Sequence, residues 1–136
     1  MTDKRYRRQI SLIDIQLPSD ETAESELEWI FQCLGLGGDE DKLAKEIFKQ
    51  IVKATRDSQG ISSRELKDSE KVTQAAIVYH LNVFMRSGLV IKQGRIYMLR
   101  APTLEETLDE LENDLVSRLE RIKRIAKKLE KEITEE

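Results

Sequence analysis

The chain reads as a mainly α protein with a small β-hairpin (α+β) and one long C-terminal helix. Three observations predict this. Apolar residues recur at helical spacing in successive segments between residues 21 and 87. Two β-prone runs then flank Gln93-Gly94, the pattern of a hairpin. Finally, Leu104, Leu108, Leu111, Leu115, Leu119, Ile122, Ala126, Leu129 and Ile133 recur at steps of three and four. That spacing divides the chain into an N-terminal arm with a short strand (1–20), a central domain (21–101) and a coiled-coil-like helix (102–136).

Each element has a local reason. Residues 9–17, Gln9 to Leu17, are rich in β-branched residues and stop at Pro18, which predicts a short strand. Ser19 or Asp20 is a candidate cap for a first helix, whose Leu27, Ile30, Phe31 and Leu34 share a face. Gly35-Leu36-Gly37-Gly38 ends it, and lacks the Gly-Lys-Ser/Thr ending of a phosphate loop. Asp39 opens a second helix carrying Leu43, Ile47 and Ile51, which fades by Gly60. Ile61 suits one short strand. Ser62 and Glu65 form a capping box for a third helix containing Leu66. Val72 anchors a tight turn, and Thr73 caps a fourth helix reaching Ser87. On that helix Ala76, Ile77, Leu81 and Phe84 form one face; Gln74, Val78, Asn82 and Arg86 form another, with Tyr79 beside them. Gly88 stops it, and Leu89–Lys92 with Arg95–Leu99 make the hairpin.

Composition narrows the function classes. Of 136 residues, 39% are hydrophobic and 36% charged, with two prolines and six glycines, which excludes a collagen-like or Pro/Gly-rich disordered chain. A single cysteine, Cys33, rules out an internal disulfide framework and a cysteine-rich zinc site; it reads as a small core residue. The one histidine, His80, has no second histidine for a metal site or triad and reads as a packing residue. Trp29 lies off its helix's main stripe, as a half-buried subunit contact would. The N-terminus is charged and has no apolar leader, and no apolar run approaches a membrane span, so a cytoplasmic protein without membrane, metal or cofactor is expected. No nucleophile–base pair or nucleotide loop is visible, and an enzyme is not expected.

The formal charge of −3 conceals an uneven distribution. Residues 61–100 carry seven basic and three acidic groups, inside flanks that are acidic on both sides. Local field matters more than total charge for a phosphate backbone within a Debye length of ~8 Å. In the long helix, residues 104–115 hold six acids and no base, and 116–131 hold seven bases against two acids. This split suits the helix macrodipole. It also favours an antiparallel homodimer in which each acidic half faces the partner's basic half. Leu104, Leu108, Leu111, Leu115, Leu119, Ile122, Leu129 and Ile133 are the expected dimerisation residues, because a stripe of about 45 Å exceeds what one small domain buries.

Two short helices, a tight turn, a further helix and a two-stranded hairpin form the order of a winged helix-turn-helix. Lys71-Val72-Thr73-Gln74-Ala75-Ala76-Ile77-Val78-Tyr79-His80-Leu81, followed by Gly88-Leu89-Val90, resembles the recognition helix and wing entry of ArsR-type transcriptional regulators. The resemblance spans about residues 40–100, and its Gly-Leu-Val ending is shared by many winged helices. Lys71 stands where those regulators carry a turn glycine. Their metal-binding cysteines have no counterpart in Ser63–Asp68, so metal sensing does not carry over. What the resemblance implies is a dimer on double-stranded DNA, with the fourth helix in the major groove and the hairpin as a wing. Thr73, Gln74, Ala75, Val78, Tyr79 and Asn82 would then meet bases. Arg64, Lys67, Lys71 and Arg86 would meet phosphates, and Lys92 and Arg95 would place the wing on the adjacent backbone or minor groove. Lys4, Arg5, Arg7 and Arg8 form a candidate DNA-gripping arm. The alternative is a winged helix that binds protein within a larger assembly, since Arg86 is the fourth helix's single basic group apart from His80.

Overall fold

A computed structural model gives the fold, describing residues 8–38 and 41–135. Five helices and a three-stranded antiparallel sheet follow in the order α1 (Ala23–Cys33), α2 (Lys42–Ser58), β1 (Ile61–Ser62), α3 (Ser63–Glu70), α4 (Gln74–Arg86), β2 (Val90–Gln93), β3 (Ile96–Leu99) and α5 (Leu104–Thr134). The sheet order is β1-β3-β2. Ile61 pairs with Tyr97 on one side of β3, and Val90 pairs with Leu99 on the other. Because Gln93 pairs with Ile96, the hairpin turn is the two residues Gly94-Arg95. Gly94 holds a φ of +63°, which a two-residue turn with right-handed strands favours.

Side-chain caps set the helix starts. Thr22, Thr73 and Thr103 accept N–H bonds from Ser25, Ala76 and Glu106 at the heads of α1, α4 and α5. Ser62 and Glu65 form the expected capping box at the head of α3. The cap of α1 is thus Thr22, not Ser19 or Asp20; the Asp20 carboxylate instead accepts the Thr22 hydroxyl at 3.0 Å. The Ser25 side chain first, and then the Thr22 hydroxyl and N–H, hold the Asp20 carboxyl below its ordinary range. Asp39 lies outside the described residues, and α2 starts at Lys42 behind Asp41.

Phe31, Phe48 and Phe84, one each from α1, α2 and α4, meet edge-to-face with ring centroids 5.5–6.4 Å apart. Around them lie Ile47, Ile51, Leu66, Ile77, Leu81 and Leu89, all fully buried. The N-terminal helix is therefore a structural part of the core. Lys45 pairs with Glu28 at 2.9 Å to tie α1 to α2. Thr55 ties α2 to the sheet: its hydroxyl donates to the Ile51 carbonyl and accepts the Leu99 N–H at 2.9 Å.

Two expectations about whole segments need correcting. Residues 9–17 form no strand. The Gln9 N–H donates to the Arg86 carbonyl and the Ile13 N–H to the Cys33 carbonyl, each at 2.8 Å, so the segment crosses two helix ends and joins no sheet edge. Its β-branched composition favours extended backbone, and without a strand edge to pair with, extended backbone is all it becomes. Leu12 and Leu17 point outward, while the Trp29 indole N–H bonds the Ile15 carbonyl at 3.1 Å. Trp29 is thereby engaged within its own chain. Cys33 is half-buried, not enclosed in the core.

The second correction concerns the long helix. Leu111 and Thr107 are buried, and Leu104 and Leu108 pack against the same core. Leu104, Leu108 and Leu111 are thus committed to the chain's own domain and do not belong to a dimer seam. A uniform heptad stripe fixes which face is apolar, not what covers it. Thr107 locks this end: its hydroxyl donates to the Thr103 carbonyl at 2.8 Å and accepts the Ala101 N–H at 3.1 Å. An antiparallel overlap of 104–115 with a partner's 116–131 is therefore not available as an apolar seam.

Candidate nucleic-acid interface

The candidate surface grows from α3, its turn and α4. On α3 the buried Leu66 fixes the inward side, so Arg64, Lys67 and Lys71, at spacings of three and four, lie on the solvent side with Asp68. All three cations are exposed. The turn is closed by Lys71 in the left-handed conformation (φ 55°, ψ 43°), its N–H bonded to the Lys67 carbonyl at 2.8 Å. This is the backbone state that glycine would adopt most readily. Val72 then packs into the core and Thr73 opens α4.

The buried row Ile77, Leu81 and Phe84 aims α4 inward, which leaves Gln74, Ala75, Tyr79 and Arg86 exposed. Tyr79 is 65% exposed, high for an aromatic side chain. Thr73 is exposed beside them. Val78 and Asn82 are half-buried on the flank of this face, not at its centre. Gln74 is held in place, its Nε2 donating to the Ser63 hydroxyl at 2.9 Å across the heads of α3 and α4. His80 is half-buried against the Tyr79 ring, with centroids 5.2 Å apart. Burial pushes its pKa below 6.5, opposed by the Asp41 carboxylate, so the ring is neutral at pH 7 and adds no cation to α4.

At the hairpin, Lys92 and Arg95 are exposed, with the Lys92 ammonium 5.4 Å from the Tyr97 ring centroid. Open space surrounds Gly94 at the tip. The remaining cation of the basic segment behaves differently. Arg100 donates to Glu110 at 2.8 Å and to Asp114 at 2.6 Å, and Arg8 donates to the same Asp114 at 2.8 Å. The Arg100 bond holds the Asp114 carboxyl below its ordinary range and raises Arg100 in turn. Arg8, a candidate of the DNA-gripping arm, and Arg100 are therefore used to brace α5. Sequence reasoning did not single out Arg100, although the carboxylates of Glu110 and Asp114, one helical turn apart, present a fork for a guanidinium. Lys4, Arg5 and Arg7 lie outside the described residues.

Arg64, Lys67, Lys71, Arg86, Lys92 and Arg95 are thus solvent-facing cations on α3, its turn, α4 and the hairpin, and the exposed face of α4 carries small, amide and phenolic groups. Among the described residues no three His, Cys, Asp or Glu side chains come together as a metal site, and no helix is long and apolar enough to cross a membrane. Compared with protein-family models, curated proteins and solved structures, the chain matches none.

Proposed function

We propose that the chain is a dimeric winged helix-turn-helix DNA-binding protein, a transcriptional regulator similar to the ArsR type, with α4 as recognition helix and the β2–β3 hairpin as wing. The observation that carries this reading is the exposed face of α4. A helix whose inner row is fully buried presents Thr73, Gln74, Ala75 and Tyr79 outward, beside the cationic side of α3. The element order and the pairing of β1 with β3 support the same reading.

In the major groove, the amide of Gln74 suits adenine's donor–acceptor edge, and the Ala75 methyl suits a thymine methyl. Arg64, Lys67, Lys71 and Arg86 hold phosphates, which fixes register without reading sequence. Lys92 and Arg95 hold the adjacent backbone or minor groove. The test is selection of bound duplexes from a random pool, repeated with variants. Gln74→Ala should lower preference for the selected site about tenfold, whereas Arg64→Ala should weaken selected and random duplexes alike. Failure to enrich any sequence contradicts the reading.

One observation favours a second reading, a protein-docking winged helix. The outer face of α4 bears one cation, Arg86, beside the exposed Tyr79 ring, a pairing that protein interfaces favour. In that case, substitution of Tyr79 abolishes partner capture while DNA binding is absent throughout.

A further inference from the structure

Beyond Leu115, α5 runs past its own domain with its apolar stripe in solvent. Leu119, Ile122, Ile125, Leu129 and Ile133 are each more than half exposed. From Leu115 to Ile133 the stripe is about 27 Å long at 1.5 Å per residue. A contiguous apolar face of this kind marks an interaction site.

We infer that the same stripe of a second copy covers it, antiparallel, with the two-fold axis beside Arg124. This rests on the dimeric part of the reading above, and not on DNA binding. The first argument is spacing. Leu115, Leu119, Ile122, Ala126, Leu129 and Ile133 are separated by 4, 3, 4, 3 and 4 residues, a series that reads the same in both directions. About this axis Leu115 faces the partner's Ile133, Leu119 the partner's Leu129, and Ile122 the partner's Ala126. All six positions are used, and the small alanine receives the larger isoleucine. From Leu115 to Ile133 the stripe is an unbroken heptad seam.

The second argument is charge at the flanks of the seam, where orientation is set. One flank carries Arg118, Ile125 and Glu132, seven residues apart; the other carries Val116, Lys123 and Glu130. Antiparallel pairing sets Arg118 against the partner's Glu132, twice by symmetry, and Ile125 against its own copy. Glu132 already has Lys128 on its own helix at 3.9 Å, and the partner's Arg118 adds a second cation. The single like-charge meeting is Lys123 with its copy. Parallel pairing instead sets Arg118 beside the partner's Lys123, twice, and the apolar Ile125 beside the partner's Glu130. Antiparallel pairing wins on charge, and it sets Ile125 against its own copy; Glu130 meets an apolar side chain in either arrangement, the partner's Val116 in the antiparallel one.

The arrangement has a geometric consequence. Leu111, where each domain grips its helix, would lie about 39 Å from its copy along the coil. That is close to the half-site separation of one DNA turn, about 34–36 Å.

The test uses the full chain with Cys33→Ser, so that introduced cysteines are the only thiols. Leu119→Cys and Leu129→Cys are prepared separately, and the protein's mass is followed by light scattering. The expected result is a dimer in which a mixture of the two variants forms a disulfide-linked product that neither forms alone. Arg118→Glu should weaken dimerisation about threefold or more, and adding Glu132→Arg should restore it. A dimer in which Leu119→Cys alone crosslinks rapidly overturns the antiparallel register and leaves the dimeric reading standing. A monomer at high micromolar concentration, helical by circular dichroism, overturns both, and DNA binding by that monomer is then judged separately.

Discussion

Lys71 separates backbone from charge at a single position. It sits at the C-cap of α3 in left-handed backbone, φ 55° and ψ 43°, with an exposed side chain. A non-glycine residue pays roughly 1–2 kcal/mol for that conformation. Glycine avoids the strain but loses roughly 0.5–1 kcal/mol more chain entropy on folding. Lys71→Gly therefore stabilises the fold by about 0.5–1 kcal/mol, with a rise in Tm of about 2–4 °C. The N–H bond to the Lys67 carbonyl at 2.8 Å is kept, because it belongs to the backbone. The same substitution removes one proposed phosphate contact per protomer, so the plot of log K against log salt flattens by about 0.9 per half-site. Lys71→Ala removes the charge and keeps the strain: it should match the glycine variant in binding but not in stability. Urea unfolding and fluorescence anisotropy read the two effects separately. A destabilised Lys71→Gly refutes the backbone argument, and an unchanged salt slope in both variants refutes the phosphate contact.

Other substitutions test other parts of the fold. Gly60 has a φ of +128°, and an added Cβ would stand 2.3 Å from Ile96 Cγ2 and 2.8 Å from the Tyr97 carbonyl oxygen; Gly60→Ala should lose about 2–4 kcal/mol in urea melts, the scale of a strained, overpacked site. Arg100→Ala strands Glu110 and leaves Asp114 paired to Arg8, and should lower stability by about 1–2 kcal/mol at neutral pH. Because Asp114 is held below 3.8 in the fold, its contribution is present above that pH and lost as pH falls through the folded value; an unaltered acid limb in Arg100→Ala would contradict the assignment. For His80 the folded pKa lies below 6.5, so the unfolded chain takes up the proton first as pH drops. Stability should therefore fall as pH goes below about 6.5, and His80→Gln should flatten that window in pH-dependent melts.

The helix–turn–helix and hairpin were legible because each boundary has a local chemical signal. Ser62 with Glu65, Thr73 and Gly88 act within a few residues of themselves, and the structure places the elements there; the hairpin turn falls one residue later than Gln93-Gly94, at Gly94-Arg95, because Gln93 pairs with Ile96. What escaped depends on distant partners. The β-rich run at 9–17 needs a sheet edge that the fold does not offer it. The heptad stripe of α5 has one period whether its own domain or a second helix covers it, so nothing local marks the change near Leu111. Arg100 reads as one more cation until Glu110 and Asp114 come within 2.8 Å. On α4, periodicity located the inner row, yet Val78 and Asn82 prove half-buried because Ile77, Leu81 and Phe84 aim the outward face at Ala75, Tyr79 and Arg86. Phe48 went unnoticed beside Ile47, although it completes the three-phenylalanine cluster.

The most direct test of the central claim is anisotropy of the full chain with short duplexes from its own genome, between about 50 and 200 mM salt. The account predicts sub-micromolar binding to a few duplexes, weakening steeply with salt as several phosphate contacts per half-site are lost. Absence of binding at the lowest salt, by a chain that is folded by circular dichroism, would contradict it and leave α4 as a protein-docking face.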